Sequence, residues 1–270
     1  MKTWHLLTIG LFATLSSCNW GEKNTTKPDI NTDTLAYIYK TVKQRAADCG
    51  NKPDTGCTVA QVKYPLFKNQ PVLNDTVNKR IIGLFGYNNP DRKPDTNLAK
   101  YIMSFVKQYE SDKAKQFTRN MFYTLDLTVK IVRQDSSLTT IELSGYNYEG
   151  GAHGGSITTF INWNTKANKD IKLGDIFTDG YKQQLTTIAD TIFRKQEKLT
   201  PTQSLANDYF FKDNKFALNE NFLITPLGIK FLYNQYEIKP YAAGQTDLFI
   251  PYAKIKSLLK PNTVITQYLK

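Results

Sequence analysis

The stretch Tyr123-Thr124-Leu125-Asp126-Leu127-Thr128-Val129-Lys130-Ile131 alternates apolar and polar residues without a break. Successive side chains of an extended backbone point to opposite faces, so the odd-numbered residues share one face and the even-numbered residues the other. A period of two with one apolar side predicts a half-buried strand. Asp135-Ser136-Ser137 supplies a turn, and residues 139–148 predict the partner strand of a hairpin.

Upstream of this hairpin the period is 3.6. Leu98, Ile102, Phe105, Val106 and Tyr109 fall on one face of a predicted helix capped by Asp95, which follows Pro94. An earlier helix carries Val77, Ile81, Leu84 and Phe85 and takes its cap from Asn74 or Asp75. Both stripes read as core faces. Before them, residues 35–48 and 58–67 predict two strands, the second ending near Pro65. Downstream, Gly150-Gly151-Ala152-His153-Gly154-Gly155 leads into a strand over 157–163. A third helix carries Leu185, Ile188, Ile192 and Phe193. Strands follow at 222–225, 228–238 and 247–250, and Pro251 suits the first position of a last short helix. Antiparallel strands with helices packed between them specify an α+β fold rather than a parallel α/β one.

Residues 1–17 read as a lipoprotein signal peptide. Lys2 provides the positive end, residues 6–15 an apolar run too short to span a bilayer, and Ser16 and Ser17 the small residues before Cys18. Leu15-Ser16-Ser17-Cys18 resembles the lipobox of bacterial lipoproteins, which implies a diacylglyceryl group with palmitate-type chains on the Cys18 thiol. Two acyl chains suffice for stable membrane anchoring. Residues 18–34 are nearly free of apolar side chains and predict a flexible tether. Asn19 lacks the carboxylate of inner-membrane retention, which points to the outer membrane rather than the inner one.

Hydrophobic residues make up 40% of the chain and aromatic residues 13%, enough for a substantial core, and no second apolar run could cross a membrane. The net charge of +11 favours anionic partners such as phosphate-bearing envelope polymers or lipid head groups, although a lysine-rich surface can serve solubility alone. The basic residues are dispersed, without the clusters or interleaved aromatics of a nucleic-acid groove, so nucleic acid is excluded as a partner. Cys49 and Cys57 flank residues 50–56, and in an oxidising, exported compartment the pair reads as a disulfide. A zinc site would need more ligands, and no His lies nearby.

The supply of histidine limits the chemistry. Of two His, His5 leaves with the signal, and His153 stands alone. That excludes His-rich zinc sites and the Asp-His-His arrangement of metal-dependent deacetylases. There is no Gly-Xaa-Ser-Xaa-Gly elbow, no phosphate loop ending in Gly-Lys-Ser/Thr, and no thiol nucleophile once Cys49 and Cys57 are paired. No catalytic residue, cofactor or metal is assigned. Paired carboxylates for glycoside cleavage stay open among the 24 acidic residues, Glu149 and Asp175 being the first to inspect.

Two motifs carry a family resemblance. One is Tyr146-Asn147-Tyr148-Glu149-Gly150-Gly151-Ala152-His153-Gly154. The other runs from Gly228 to Tyr252 and contains Tyr236-Glu237-Ile238-Lys239-Pro240-Tyr241-Ala242-Ala243-Gly244. Between them, Leu173-Gly174-Asp175-Ile176-Phe177 resembles the start of the second of two domains. The order of these segments is similar to the paired extracellular domains of RsiV-type anti-sigma factors and PdaC-type peptidoglycan deacetylases. The resemblance implies an α+β fold with antiparallel sheets and packed helices in two subdomains, residues 35–165 and 166–270, and a role at the cell wall. One branch of the family binds animal-type lysozyme, and in the other the domains sit beside a NodB-type deacetylase. This chain shows no transmembrane or cytoplasmic segment for a sigma factor, and none of its residues follow the domain pair to form a deacetylase. Its positive charge also disfavours encounter with a basic lysozyme. The expectation is a lipid-anchored binding or sensing protein whose ligand is a wall polymer such as peptidoglycan, or a lysozyme-like protein. The alternative is an envelope hydrolase working through paired carboxylates.

Tyr146 and Tyr148 lie two apart on one strand and share a face, and the glycines that follow let a partner approach the backbone closely. With His153, they are the candidate ligand-binding residues. The competing reading packs both tyrosines into the core and makes the loop a turn built on positive-φ glycine. A large acid-lined cleft would favour a hydrolase, and a shallow aromatic surface would favour binding.

Overall fold

The computed structural model describes residues 34–85, 97–118, 121–135 and 137–269. The signal peptide, Cys18, the Asp95 cap and the tether up to residue 33 lie outside them. The alternation at 123–131 builds β3 (Thr124–Asp135), which pairs antiparallel with β4 (Leu138–Tyr148). Next come β5 (Gly155–Asn164) and the short β6 (Lys169–Asp170). On its other side β3 meets β2 (Val59–Phe67), and β1 (Tyr37–Arg45) closes the six-stranded sheet as its edge.

The β2–β3 ladder is parallel, with Val59 opposite Thr124. Parallel neighbours need a long crossover. Here α1 (Pro71–Gly83) and α2 (Leu98–Ala114) supply it. Both helices cover one face of the sheet, where Val77, Ile81, Ile102, Phe105 and Val106 share a core with Leu125, Leu127 and Val129. The opposite face of β3 and β4 is left polar.

Four local expectations shift. α1 begins at Pro71, so Asn74 lies inside the helix. Its amide accepts from the Phe67 N–H at 2.9 Å and donates to the Phe67 carbonyl at 2.8 Å, tying the helix to the end of β2. The cap of α2 is Asn97, whose Oδ1 accepts from the Lys100 N–H at 2.9 Å. Pro65 lies within β2, opposite Tyr39. The β3 ladder has already ended at Lys63, so the missing N–H breaks no bond on that side. The strand predicted over 228–238 ends at Tyr233, and Ile238 is buried from a loop.

A second core gathers around α4 (Tyr181–Gln196) and an antiparallel sheet of β7 (Phe222–Ile224), β8 (Gly228–Tyr233) and β9 (Thr246–Pro251). Leu185, Ala189 and Phe193 of α4 join Phe231, Leu248 and Ile250 of the sheet. The short helices α3 (Leu173–Ile176) and α5 (Tyr252–Ile255) complete it. The two lobes are joined at β5 by side-chain amides that imitate a β-ladder. Buried Asn162 donates to the Phe222 carbonyl and accepts from the Ile224 N–H, both at 2.8 Å. Asn221 donates to the Thr158 carbonyl at 2.8 Å.

Candidate functional site

The polar face of the first sheet is ordered by strand register. Tyr146 lies between Asp126 and Ser156, and Ser144 lies between Thr128 and Thr158. The segment that follows β8 runs along the free edge of β5, at the end of these two rows. Its position is set by Asn234, which accepts from the Thr158 N–H at 2.7 Å and donates to the Thr158 carbonyl at 3.1 Å. Gln235 accepts from the Ser156 N–H at 3.4 Å, and Gln245 donates to Thr158 Oγ1 at 3.2 Å. Between sheet and segment lies a cleft of about 450 Å³, lined by these two rows together with Gly145, Ile157, Gln235 and Gln245. Apart from Ile157, its side chains carry hydroxyls and carboxamides, with Asp126 the one charged group among them.

Three rings gather beside the cleft. His153 stacks on Tyr241 with centroids 3.9 Å apart and planes 17° from parallel. Tyr236 leans on Tyr241 at 5.5 Å, and its hydroxyl lies 3.3 Å from His153 Nε2. The rings come from both lobes, His153 following β4 and the two tyrosines following β8.

The three residues singled out in the sequence have different places. Tyr146 is 38% exposed and lines the cleft. Its phenol lies against Gly154, where a Cβ would come within 2.4 Å of the hydroxyl oxygen. Tyr148 does not line the cleft. Its hydroxyl donates to the Gly151 carbonyl at 3.0 Å and so braces the loop, in which Gly150 and Gly151 take φ values of +93° and +91°. His153 is exposed and belongs to the ring cluster rather than to the turn interior.

The remaining sequence-named residues lie elsewhere. Cys49 and Cys57 are joined in the first core with their Cα atoms 5.3 Å apart. Glu149 is exposed after β4 and accepts from Asn147 Nδ2 at 2.7 Å. Asp175 belongs to α3 in the other lobe, where it accepts from the Lys172 N–H at 2.8 Å and from Lys169 Nζ at 2.6 Å. Partial burial pushes the Asp175 carboxyl up, but the hydrogen bonds from Lys169 and the Lys172 backbone outweigh this and hold it below the ordinary range. Neither carboxylate lines the cleft.

Sequence reasoning missed most of the cleft. Asp126 and Thr128 were visible as the polar face of a strand, and Tyr236 and Tyr241 stood inside the 228–252 motif without a role. Nothing local marks Asn234, Gln235 or Gln245, because their partners lie in the other lobe.

Residues 51–156 match the family model described as deacetylase PdaC, and residues 174–253 match DUF3298, described as a protein of unknown function. The chain is 23% identical over 209 residues to the peptidoglycan-N-acetylmuramic acid deacetylase PdaC of Bacillus subtilis, a match covering 74% of this chain. It spans 38% of that protein's length. Among solved structures it is similar to a DUF3298 family member from Bacteroides fragilis, with a TM-score of 0.69 and 26% identity over 88% of this chain and 98% of that one. A DUF3298 family protein from Pseudomonas aeruginosa also gives a TM-score of 0.69, at 22% identity over 85% of this chain and 96% of its own, a likeness of fold.

Proposed function

We propose, for a chain that carries a PdaC-type domain followed by a DUF3298 domain, the role of a non-catalytic, glycan-binding protein of the cell envelope. The observation that carries this reading is the make-up of the cleft. Saccharides present hydroxyls that both donate and accept, and the Ser, Thr, Tyr and Gln side chains of the cleft do the same. Its volume lies in the range of small-ligand sites. The PdaC-type and DUF3298 domains point to the envelope, and the named substrate of the Bacillus subtilis relative, which contains an N-acetylated wall sugar, suggests peptidoglycan as the glycan.

A hydrolase acting on glycosidic bonds needs two carboxyl groups flanking the scissile bond. Asp126 is the single carboxylate lining the cleft, which favours binding over cleavage. Capture of a basic lysozyme is disfavoured by the charge of +11. Attachment to the outer membrane through Cys18 would hold the cleft close to the wall. Cys18→Ala is expected to yield an unprocessed or soluble form, and detergent partitioning like that of wild type after signal cleavage would refute the anchor.

The test of the reading is co-sedimentation of the full chain with purified peptidoglycan. Binding that weakens in Tyr146→Ala without loss of thermal stability supports it. Failure of the wild type to sediment, or release of acetate or reducing sugar by the wild type, overturns it.

A further inference from the structure

Asn234 and Glu237 bound a tight turn, closed by a hydrogen bond of 3.1 Å from the Glu237 N–H to the Asn234 carbonyl. Within it Tyr236 has a φ of +65°. The third position of a four-residue turn with positive φ there is ordinarily taken by Gly or Asn, since a Cβ is crowded in the left-handed region. The other non-glycine residues with positive φ among the described residues are all polar, and four of the eight are Asn. Tyr236 is the one aromatic residue so placed, and a bulky side chain there carries a conformational cost.

That cost secures no burial. Tyr236 is 56% exposed, although its neighbours Tyr233 and Ile238 are buried. Its ring is nevertheless held in place. The hydroxyl meets His153 Nε2, the ring leans on Tyr241, and Tyr241 is itself backed by the His153 imidazole. A side chain kept in a strained backbone, exposed, oriented by both His153 and Tyr241 and next in sequence to the cleft-lining Gln235 is arranged for contact with something outside the chain.

We infer that Tyr236, backed by Tyr241 and His153, is a stacking platform for a pyranose ring of a glycan whose neighbouring unit occupies the cleft. This rests on the glycan-binding reading and extends it by assigning a second subsite and the residue that contacts the sugar. The C–H face of a pyranose is apolar, and a preoriented aromatic ring offers large contact area with little entropy left to lose. The polar edge of the sugar would remain free for the hydroxyl and amide groups of the cleft.

Three variants of the full chain test this, titrated with a soluble N-acetylglucosamine hexasaccharide by calorimetry and melted in parallel. Tyr236→Asn fits the turn without the ring. It is expected to leave the melting temperature unchanged or raised while weakening binding about tenfold, the scale of an interface anchor. Tyr236→Phe retains the ring and is expected to bind within about twofold of wild type, as a lost rim hydrogen bond costs little in water. Tyr146→Ala reports on the cleft alone. Wild-type affinity in Tyr236→Asn alongside weakened Tyr146→Ala overturns the platform and leaves the glycan cleft standing. A melting temperature that falls with affinity in Tyr236→Asn makes the ring a structural brace and also overturns it. Absence of binding by the wild type, repeated with peptidoglycan, sinks both readings.

Discussion

Asn234 holds both backbone polar groups of Thr158, accepting the N–H at 2.7 Å and donating to the carbonyl at 3.1 Å. A single side chain thereby stands in for a strand at the point where the second lobe crosses the sheet of the first. The same amide accepts from Gln245 Nε2 at 3.0 Å, so this wall of the cleft depends on it. Asn234→Ala is expected to cost about 1–3 kcal/mol, the penalty for stranding polar groups that cannot all regain water. It should also weaken peptidoglycan binding. Chemical denaturation and sedimentation check the two effects. Unchanged stability would show that Thr158 finds other partners.

Gly154 and Tyr146 make the next prediction. A Cβ at residue 154 would stand 2.4 Å from the Tyr146 hydroxyl and 2.6 Å from the Asn147 carbonyl oxygen, and the second of these is backbone that cannot swing aside. Gly154→Ala should lower stability by about 1–3 kcal/mol, as overpacking does, and displace the phenol from the cleft. Tyr146→Ala removes the phenol without the clash, and should cost under about 1 kcal/mol while weakening binding equally. Equal stability of the two variants, measured by thermal melts, would contradict the geometry.

Acid should loosen the first lobe through Asp48. The hydrogen bond from Lys113 is the strongest influence on this carboxyl. Burial opposes it, and Tyr109 adds a second hydrogen bond at 2.9 Å. The net result is a folded-state pKa below the ordinary 3.8. A carboxyl with a depressed folded pKa adds stability that is fully present above its unfolded value and is lost as pH falls through the folded one. Urea midpoints recorded downward from pH 5 should therefore decline, and the decline should be shallower in Asp48→Asn. A slope identical to wild type would remove Asp48 from the account.

Reduction of the bond between Cys49 and Cys57 should destabilise the first core without unfolding it. The two cysteines are eight residues apart, and closing so short a loop contributes about 2–3 kcal/mol in the chain-entropy model. Non-reducing peptide mapping should find them joined in protein from the envelope, and a reductant should lower the melting temperature. Two free thiols in that material would end the assignment.

Local pattern was sufficient for much of the fold. The alternation at 123–131 stated a strand with one buried face, and the stripes at Leu98–Tyr109 and Leu185–Phe193 stated two helices, because period and burial are coupled within one element. The motifs around Tyr146 and Tyr236 were enough to imply the domain pair. Caps were less legible. Asn74 left its predicted place at the helix start because the Phe67 backbone offered it two hydrogen bonds, a choice that depends on where β2 ends. The parallel junction of β2 and β3 was not visible either, since a strand's own side chains do not state the direction of its neighbour.

The candidate site divides in the same way. Sequence alone named Tyr146 and Tyr148 at the end of β4 and His153 in the loop that follows, which has its own glycine signature. Only the tertiary structure separated Tyr146, in the cleft, from Tyr148, which is turned to the Gly151 carbonyl. It also brought Gln235 to Ser156 and Gln245 to Thr158 and set Tyr241 against His153. Those contacts join residues 79 or more positions apart. Their energies belong to pairs that exist only after both lobes have folded, and no periodicity within either segment encodes the partner.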